Sequence, residues 1–499
     1  MITAILSIVL RERNFRDYLS FAGSIIYFFF TASLAQKVLV NGPLSYQAGG
    51  WAAPYGITLV ADSLTVLMLL LTSLVFIAVN LYSWGYISDK GKESGYYAFL
   101  HFMLAGMSGA FTTGDLFNLF VMFELVLMSS YALVAYSGSR ESLFISMKYV
   151  VLNLIGSSLM LVAIGGLYSV TGTLNMADMA VILAEGSVNM APVLGLSMIL
   201  FCVFAIKSGL VPFHFWAPPV YSNSPPPASA LMAGISKKVG IYAVIRLYIT
   251  VFSGAVMPEN ALLFAGQPIN MATGYLVGVM AVITVLLGGI SAVNRNSLDK
   301  LLSYSSVGQI GFIYVPVSIA MITGSHTALN AALAYIIAHG LAKPALFMIS
   351  GIIEKIAGTS RLDELGGLSE SSFMLSAVFF ISAFSLVGVP PLTGFFGKMM
   401  VFQSLISSGN FITLVSLLAG AVLTLMYCSK AWLEIFFGEP VDFDRSKTSK
   451  KEVLSVIILA VLILFLGMNF EAVYQVIEKA AQASLETQAY TETVLGETK

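Results

Sequence analysis

The chain has 499 residues, of which 58% are hydrophobic and only 10% are charged. Because soluble domains carry about 25% charged residues, this composition excludes a soluble globular protein and indicates one that crosses a membrane many times. The net charge is −1 and no basic stripe is present, so we expect no nucleic-acid partner. Cys202 and Cys428 lie far apart in apolar runs and no metal-ligand spacing occurs, so we expect no metal and no cofactor.

Apolar runs of about 20 residues, the length that spans a bilayer, recur along the chain. They predict an all-α polytopic membrane protein with about fourteen transmembrane helices, the first run being only half a span long. The runs lie at residues 1–10, 18–40, 61–84, 96–113, 114–136, 147–170, 192–211, 228–253, 271–292, 302–322, 327–354, 373–408, 411–437 and 453–469. The seventh and twelfth spans are predicted to be broken by Pro212 and by Pro390 with Pro391, because proline removes a backbone donor.

The loops between the predicted spans fall into two groups by charge. The loops after spans 1, 3, 5, 9, 11 and 13 carry Arg11, Arg13, Arg16, Lys90, Lys92, Arg140, Arg295, Lys300, Lys355, Arg361, Arg445, Lys447, Lys450 and Lys451. Loops of the opposite side, at 41–60, 171–191, 254–270, 323–326 and 409–410, contain neither Lys nor Arg. By the positive-inside rule, we expect the basic loops to be cytoplasmic and both termini to face outward.

The two broken spans are five spans apart, which indicates an internal repeat. Five is an odd number, so two five-span units would insert with opposite orientations. Inverted repeats that each contain a broken helix are typical of transporters, and the broken helices mark the ion site. We therefore predict helices 1–3 in residues 1–95, a first repeat in 96–253, a second in 271–437, and the last helix with an acidic tail in 438–499.

Five charged side chains lie in the middle of apolar runs: Glu124, Lys207, Lys238, Lys343 and Lys398. A charge at mid-bilayer costs about 3 kcal/mol or more, so such residues are functional candidates. A carboxylate near a buried lysine favours the charged ammonium, whereas desolvation favours the neutral amine. We interpret the set as a proton relay in which Glu124 controls the proton affinity of Lys207. The alternative for Glu124 is a carboxylate neutralised by a structural partner.

Six further residues lie close to these positions. His339 precedes Lys343 by four residues, which places both on one helix face, and its imidazole titrates near neutral pH; it joins the relay. Tyr335 continues that face and is an accessory residue. The other accessory residues are His214, Lys237, Ser305 and Ser306. His214 could gate proton entry or cap a helix, Lys237 ranks below Lys238, and the two serines could hold water or bond neighbouring helices.

Three charges near the ends of spans are not included in the relay. Arg246 lies near the outer end of span 8, where its side chain could extend to the interface. Asp62 opens span 3 at the same interface. Asp115 opens span 5, and a carboxylate at a helix start is favoured by the helix dipole.

Several segments in order, from about residue 60 to 430, resemble the antiporter-like subunits of respiratory complex I. They are GDLFNLFVMFELVLMSSYAL, KSGLVPFHFWAP, PPPASALMAGISKKVGIYAVIR, SLDKLLSYSSVGQIGF, HGLAKPALF and VGVPPLTGFFGK. With GGWAAPYGITLVADSLTVLM, the chain is most similar to the D-type subunits of the Mrp cation/proton antiporters. It is nearly as similar to the equivalent subunit of membrane-bound hydrogenases and sulfane reductases. The resemblance implies fourteen core helices and a proton path along a hydrated mid-membrane axis through Glu124, Lys207, Lys238, His339, Lys343 and Lys398.

The resemblance implies a proton-translocating subunit of a multisubunit antiporter that exchanges Na⁺ or another monovalent cation for protons. We expect it in a prokaryotic inner (plasma) membrane, with the lipid bilayer and other membrane subunits of the same complex as partners. The alternative is the ion-pumping, non-redox subunit of a redox complex, so the sequence leaves open whether the complex is an enzyme. A structural anchor is disfavoured because it has no use for four buried lysines. No obvious carboxylate cluster lies at mid-depth, so the sequence does not place a Na⁺ site and leaves open whether the cation crosses elsewhere in the complex.

Overall fold

The computed structural model describes residues 1–9, 13–88, 95–259, 261, 264–441 and 443–496. The first half contains helices α1 (Ile2–Val9), α2 (Arg13–Asn41), α3 (Ser63–Tyr86), α4 (Tyr96–Thr112), α5 (Leu116–Val134), α6 (Arg140–Thr171), α7 (Met176–Ala184), α8 (Met190–Ser208), α9 (Ala217–Asn223) and α10 (Pro226–Val251). The second half contains α11 (Ile269–Val293), α12 (Leu298–Thr323), α13 (His326–Ala357), α14 (Leu368–Ser371), α15 (Phe373–Val387), α16 (Thr393–Ser407), α17 (Phe411–Phe436), α18 (Lys450–Met468), α19 (Phe470–Leu485) and α20 (Thr487–Leu495). Strands β1 (Leu44–Gln47) and β2 (Thr58–Ala61) form an antiparallel hairpin.

The predicted all-α polytopic fold is confirmed. Within the described ranges, eleven helices are long and apolar enough to cross a membrane, and they correspond to eleven of the fourteen predicted spans. The other three predicted spans correspond to the short α1, to the 17-residue α4, and to α15 together with α16. Of the loop charges used for orientation, Arg11, Lys90, Lys92 and the Arg13 side chain lie outside the described residues.

Two helices begin at aspartates that accept backbone hydrogen bonds. The Thr65 N–H donates to the Asp62 carboxylate at 2.9 Å before α3, and the Asn118 N–H donates to Asp115 at 2.7 Å before α5. These caps satisfy donors that a helix leaves unpaired in its first turn, and the negative charge suits the positive end of the dipole. Asp115 is therefore a helix-start residue, as the sequence predicts.

Both predicted helix breaks are present. After α8 the chain turns at Gly209, whose φ of 71° is left-handed, and Pro212 follows before α9. After α15 it turns at Gly388, whose φ is 95°, and Pro390 and Pro391 follow before α16. Glycine suits both positions because it adopts a positive φ without a steric penalty.

The breaks leave backbone carbonyls without helical partners inside the bundle. The Ile206 carbonyl accepts a hydrogen bond from the Trp216 Nε1 at 2.8 Å. The Val387 carbonyl accepts one from the Lys398 Nζ at 3.2 Å. The second break thus supplies an acceptor to one of the predicted relay lysines.

Helices α10, α12 and α13 form the core of the bundle and are almost wholly buried. The apolar length of α13 is buried throughout, whereas α2 and α17 bury less than a third of theirs. The core helices carry most of the titratable groups singled out from the sequence, namely Lys237, Lys238, His339 and Lys343. The fold therefore places these groups away from the lipid.

The acidic tail folds back over one end of the bundle as α19 and α20. The Thr250 hydroxyl at the end of α10 donates to the Ser484 carbonyl at 2.8 Å, and the Gln47 side chain donates to the Val494 carbonyl at 3.2 Å. This end carries the loops that contain no Lys or Arg. The tail is therefore part of the folded bundle, although the sequence of the tail contains no motif that we recognise.

Candidate functional site

Glu124 on α5 and Lys207 on α8 are joined through a serine on α6. The Lys207 Nζ donates a hydrogen bond to the Ser157 Oγ at 3.1 Å, and the Ser157 hydroxyl donates to the Glu124 carboxylate. Lys207 is only 6% exposed, and Gly156 leaves room beside its ammonium group. The predicted pair is brought together, but as a three-residue chain whose middle member the sequence does not reveal.

Lys237 on α10 lies next along the bundle, where its side chain contacts α9 and α12. Its Nζ donates to the Ser306 Oγ at 3.2 Å and lies 4.7 Å from the centre of the Tyr221 ring. It is 1% exposed and its Nζ is close to Gly209, two residues after Lys207. Lys237 is therefore fully inside the bundle, next to the first helix break.

Lys343 on α13 contacts the same short segment of α12. Its Nζ donates to the Ser305 Oγ at 2.8 Å and to the Leu302 carbonyl at 3.0 Å. The neighbouring Ser306 accepts a hydrogen bond from Lys237, so adjacent residues of α12 are hydrogen-bonded to two lysines. The two serines thus bind lysines, a role more specific than either alternative drawn from the sequence.

His339 and Lys238 contact each other across α13 and α10. The Lys238 Nζ lies 2.7 Å from the His339 Nδ1 and also donates to the Gly234 carbonyl in a π-helical stretch of α10. Both residues are completely buried, and within the described residues the His339 Nε2 has no hydrogen-bond partner. Because an ammonium group only donates, Nδ1 accepts when Lys238 is protonated.

A neutral hydrogen-bonded group on α12, α13 and α17 extends from Lys343. The Tyr335 hydroxyl donates to the Gln309 side-chain oxygen, and the Gln309 amide donates to Tyr427 at 2.8 Å. Tyr427 also lies near Ser305, the serine that contacts Lys343. The structure therefore places Tyr335, predicted as accessory, in a hydrogen-bonded group next to Lys343.

Lys398 on α16 lies beside the second helix break. Besides its bond to the Val387 carbonyl, its Nζ lies 4.7 Å from the centre of the Phe312 ring on α12. It is 2% exposed. Gly397 lets α16 approach Tyr335 closely, since a Cβ there would lie 3.0 Å from the tyrosine ring.

His214 lies in the short 3-10 turn after Pro212 and is 6% exposed. Its ring packs against Phe215 at 4.6 Å between centres, and among the described residues its Nδ1 has no hydrogen-bond partner. Its part in proton entry remains a prediction.

The predicted extension of Arg246 to the interface is wrong. Its guanidinium is 1% exposed and forms an ion pair with Asp62 at 2.6 Å. The same group contacts the Tyr242 hydroxyl at 3.2 Å. Asp62 supplies a buried counter-charge from the start of α3, so Arg246 does not need to reach water.

The lysine row (Lys207, Lys237, Lys238, Lys343 and Lys398) has a definite chemical capacity. Each ammonium group contacts a hydroxyl, carbonyl or imidazole acceptor inside the bundle. Such a row can hold and pass protons, because each lysine accepts a proton as a neutral amine and donates one as an ammonium. Among the described residues, no group of three or more His, Cys, Asp or Glu could hold a metal ion.

Comparisons with known proteins match this chain to one family and to a relative of nearly the same length. Residues 113–424 match the model of the family described as NADH:quinone oxidoreductase/Mrp antiporter, TM. The D subunit of the Na⁺/H⁺ antiporter of Bacillus subtilis (strain 168) is 35% identical over 483 residues, which cover 96% of this chain and 94% of that protein.

Two solved structures share the fold over nearly the whole chain. A chain of the Mrp complex from Dietzia sp. DQ12-45-1b has a TM-score of 0.88 and 25% identity, with coverage of 99% of this chain and 97% of that one. A chain of the membrane-bound sulfane sulfur reductase, an archaeal respiratory membrane complex, has a TM-score of 0.89 and 26% identity, with coverage of 99% and 98%.

Proposed function

This chain belongs to the NADH:quinone oxidoreductase/Mrp antiporter family of transmembrane proteins, and we propose that it is the proton-translocating subunit of a multisubunit Na⁺/H⁺ antiporter. Its relative in Bacillus subtilis is named as a subunit of such an antiporter. The observation that carries the proposal is the buried lysine row, in which every ammonium group has an acceptor on a different helix or at a helix break. A membrane anchor would have no use for such a row.

Proton transfer along the row follows from the small number of charges that the interior can hold. Like charges close together disfavour each other, most strongly where water is scarce. Five lysines share this interior with the half-buried Glu124, so they do not all hold a proton at once. A proton that reaches one lysine therefore favours release from its neighbour.

The route that we propose runs from Glu124 and Ser157 to Lys207, then through the central lysines to Lys398. Two parallel steps are available at the centre. One uses Lys237 and Lys343, which donate hydrogen bonds to adjacent serines of α12. The other uses Lys238 and the His339 that it contacts. Lys398 beside the second break is the far end of the row.

We further propose the membrane orientation and the repeat. The basic loops, including those with Arg295 and Arg445, face the cytoplasm, and both termini face outward. Residues 96–253 and 271–437 form two repeats of opposite orientation. The two breaks support this division because each has a left-handed glycine followed within three residues by proline.

The chain works with other membrane subunits of the same complex in a prokaryotic plasma membrane. The support is that a relative is named as a subunit and that the two similar solved structures are complexes. Helices α2 and α17, which are the least buried of the long helices, offer apolar surface for lipid or neighbouring subunits.

The proposal is tested with the whole complex, purified through a tag on this chain and placed in vesicles. An imposed Na⁺ gradient should drive proton movement, followed with a pH-sensitive dye. Lys207→Ala and Glu124→Ala should abolish that movement while the complex still assembles. Lys300→Ala, which removes an exposed lysine at the start of α12, is the control and should exchange normally. Normal exchange by either relay variant would exclude that residue from the path.

A second function, the ion-pumping subunit of a redox complex, is favoured by the equal similarity to the sulfane sulfur reductase chain. Mass spectrometry of the purified complex separates the two. Small membrane subunits alone would support the antiporter, whereas iron–sulfur or nickel subunits would support the redox complex.

A further inference from the structure

A cavity of about 210 Å³ lies at the end of the bundle that carries the loops without Lys or Arg. Its walls come from the end of α2, the start of α3 and the tail helices α19 and α20. The polar residues that line it are Asp62, Ser63, Lys479, Gln482, Glu486, Tyr490 and Thr493. Of these residues Lys479 and Glu486 are exposed and Asp62 is buried, so the cavity extends from the surface to Asp62.

The inner end of the cavity contains buried polar atoms that the protein leaves unpaired. Asp62 is 3% exposed and forms the ion pair with Arg246, whose guanidinium also lies 4.8 Å from the centre of the Tyr490 ring. In the described part of the chain, the hydroxyl of Tyr490, which lines the cavity, has no hydrogen-bond partner, and neither has the Nη1 of Arg246 behind Asp62. Buried polar atoms are usually hydrogen-bonded, so unpaired ones at a cavity indicate bound water.

The same ion pair is connected to the centre of the bundle along one face of α10. Lys238, Tyr242 and Arg246 are spaced four residues apart, so they lie on one helix face over about 12 Å. Tyr242 lies midway, where its hydroxyl donates to the Phe111 carbonyl at 2.6 Å and accepts from the Arg246 Nη2 at 3.2 Å. Polar side chains on this face therefore run from Lys238 through Tyr242 to Arg246, whose ion-pair partner Asp62 lines the cavity.

We propose that this cavity is the outward mouth of the proton path and that the Asp62 carboxylate exchanges protons with its water. This inference rests on the proposed function and adds a branch to it that leaves the row at Lys238. A proton leaves the Lys238 ammonium, which becomes a neutral amine, and binds the Tyr242 oxygen. The tyrosine releases its own hydroxyl proton in exchange, and that proton forms an O–H bond on Asp62. Water in the cavity then takes the proton, and the restored carboxylate pairs again with Arg246, which stays charged throughout.

The groups that face Asp62 suit this exchange. Arg246 holds a fixed positive charge beside the carboxylate, and Tyr242 and Tyr490 are neutral donors and acceptors. Lys479 and Glu486 are the exposed charged residues of the lining, and Asp115 is near enough to Tyr490 to act on it electrostatically. Helices α19 and α20 form the outer wall, which gives the tail a direct part in proton release.

The test closes the cavity without altering the ion pair. Ala489→Cys places a thiol on the cavity wall, and Gln488→Cys places one on the exposed side of the same helix. Both are made with Cys202 and Cys428 replaced by alanine, and the whole complex is treated in vesicles with a membrane-impermeant trimethylammonium methanethiosulfonate. Modification of Ala489→Cys should cause loss of Na⁺-driven proton movement, and modification of Gln488→Cys should leave it unchanged.

Equal rates in the two modified complexes, whether both retained or both lost, would overturn the inference. So would failure of Ala489→Cys to react, since the cavity would then be closed to water. The unmodified complexes provide the separate check on the proposed function. If they move no protons under a Na⁺ gradient, the antiporter proposal fails whatever the reagent does.

A pair of variants tests Asp62 directly. Asp62→Asn should lose proton movement, and Asp62→Glu, which keeps a carboxylate, should restore a measurable part of it. Asp62→Asn leaves Arg246 unpaired and could prevent assembly. In that case the double variant Asp62→Asn with Arg246→Gln, which removes both charges, is tested in place of the single variant. Normal exchange by an assembled variant without the carboxylate would overturn the inference.

Discussion

The hydroxyl of Ser157 contacts both Glu124 and Lys207, so it transmits the effect of the carboxylate to the ammonium. We predict that Ser157→Ala lowers the initial rate of Na⁺-driven proton movement. A hydrogen bond to a charged group contributes about 1.5–3 kcal/mol, which corresponds to a decrease of about tenfold or more. Ser157→Thr keeps the hydroxyl and should retain most of the rate. An alanine variant as fast as the wild type would show that the pair does not need the serine.

The adjacent lysines Lys237 and Lys238 have different partners, and this separates their expected roles. Lys238 contacts His339, which can itself gain or lose a proton, whereas Lys237 contacts hydroxyl and carbonyl oxygens of Ser306. We predict that Lys237→Ala retains more proton movement than Lys238→Ala, measured per assembled complex in vesicles. The reverse order would assign the central step to Lys237.

At the scale of helices, the second break holds Lys398 in place through a glycine. Gly388 has a φ of 95°, and a Cβ there would lie 3.2 Å from the Lys398 side chain. Gly388→Ala should therefore strain the backbone by about 1–2 kcal/mol and also displace the lysine. We expect a lower thermal stability together with slower proton movement.

Gly324 provides the matched control for that variant. Its φ is 64°, but nothing lies within 4 Å of the position that a Cβ would occupy. Gly324→Ala should lower the thermal stability by a similar amount and leave the rate per assembled complex unchanged. If both variants slow transport equally, the effect of Gly388→Ala is general strain rather than displacement of Lys398.

The sequence reveals the charged groups at membrane depth but only some of their neutral partners, such as Ser305 and Ser306. Lys207 and Glu124 stand out because a charge in an apolar run is costly, and proline marks both breaks. Ser157, Gln309 and Tyr427 carry no such cost and are distant in sequence from the residues they contact, so only packing identifies them. The prediction for Arg246 is wrong for the same reason, since its partner Asp62 belongs to another helix.

At the scale of the whole molecule, the orientation of the bundle in the membrane can be tested by labelling exposed residues at its two ends. We predict that an impermeant thiol reagent added to intact cells labels Gln488→Cys in α20 and does not label Lys300→Cys at the start of α12. Both positions are exposed, and they lie at opposite ends of the bundle. Labelling of Lys300→Cys alone would reverse the assignment of the basic loops to the cytoplasm.

The complete burial of α13 has a consequence for how the protein is made. Helix α13 packs against α15, α16, α18 and α19, all of which are synthesised after it. When α13 first enters the membrane, His339 and Lys343 lack the enclosure that these later helices provide. The insertion machinery or the earlier helices α10 and α12 must therefore shield the two residues from lipid during translation. The order in which the helices are synthesised thus affects whether buried titratable residues can be inserted into the membrane.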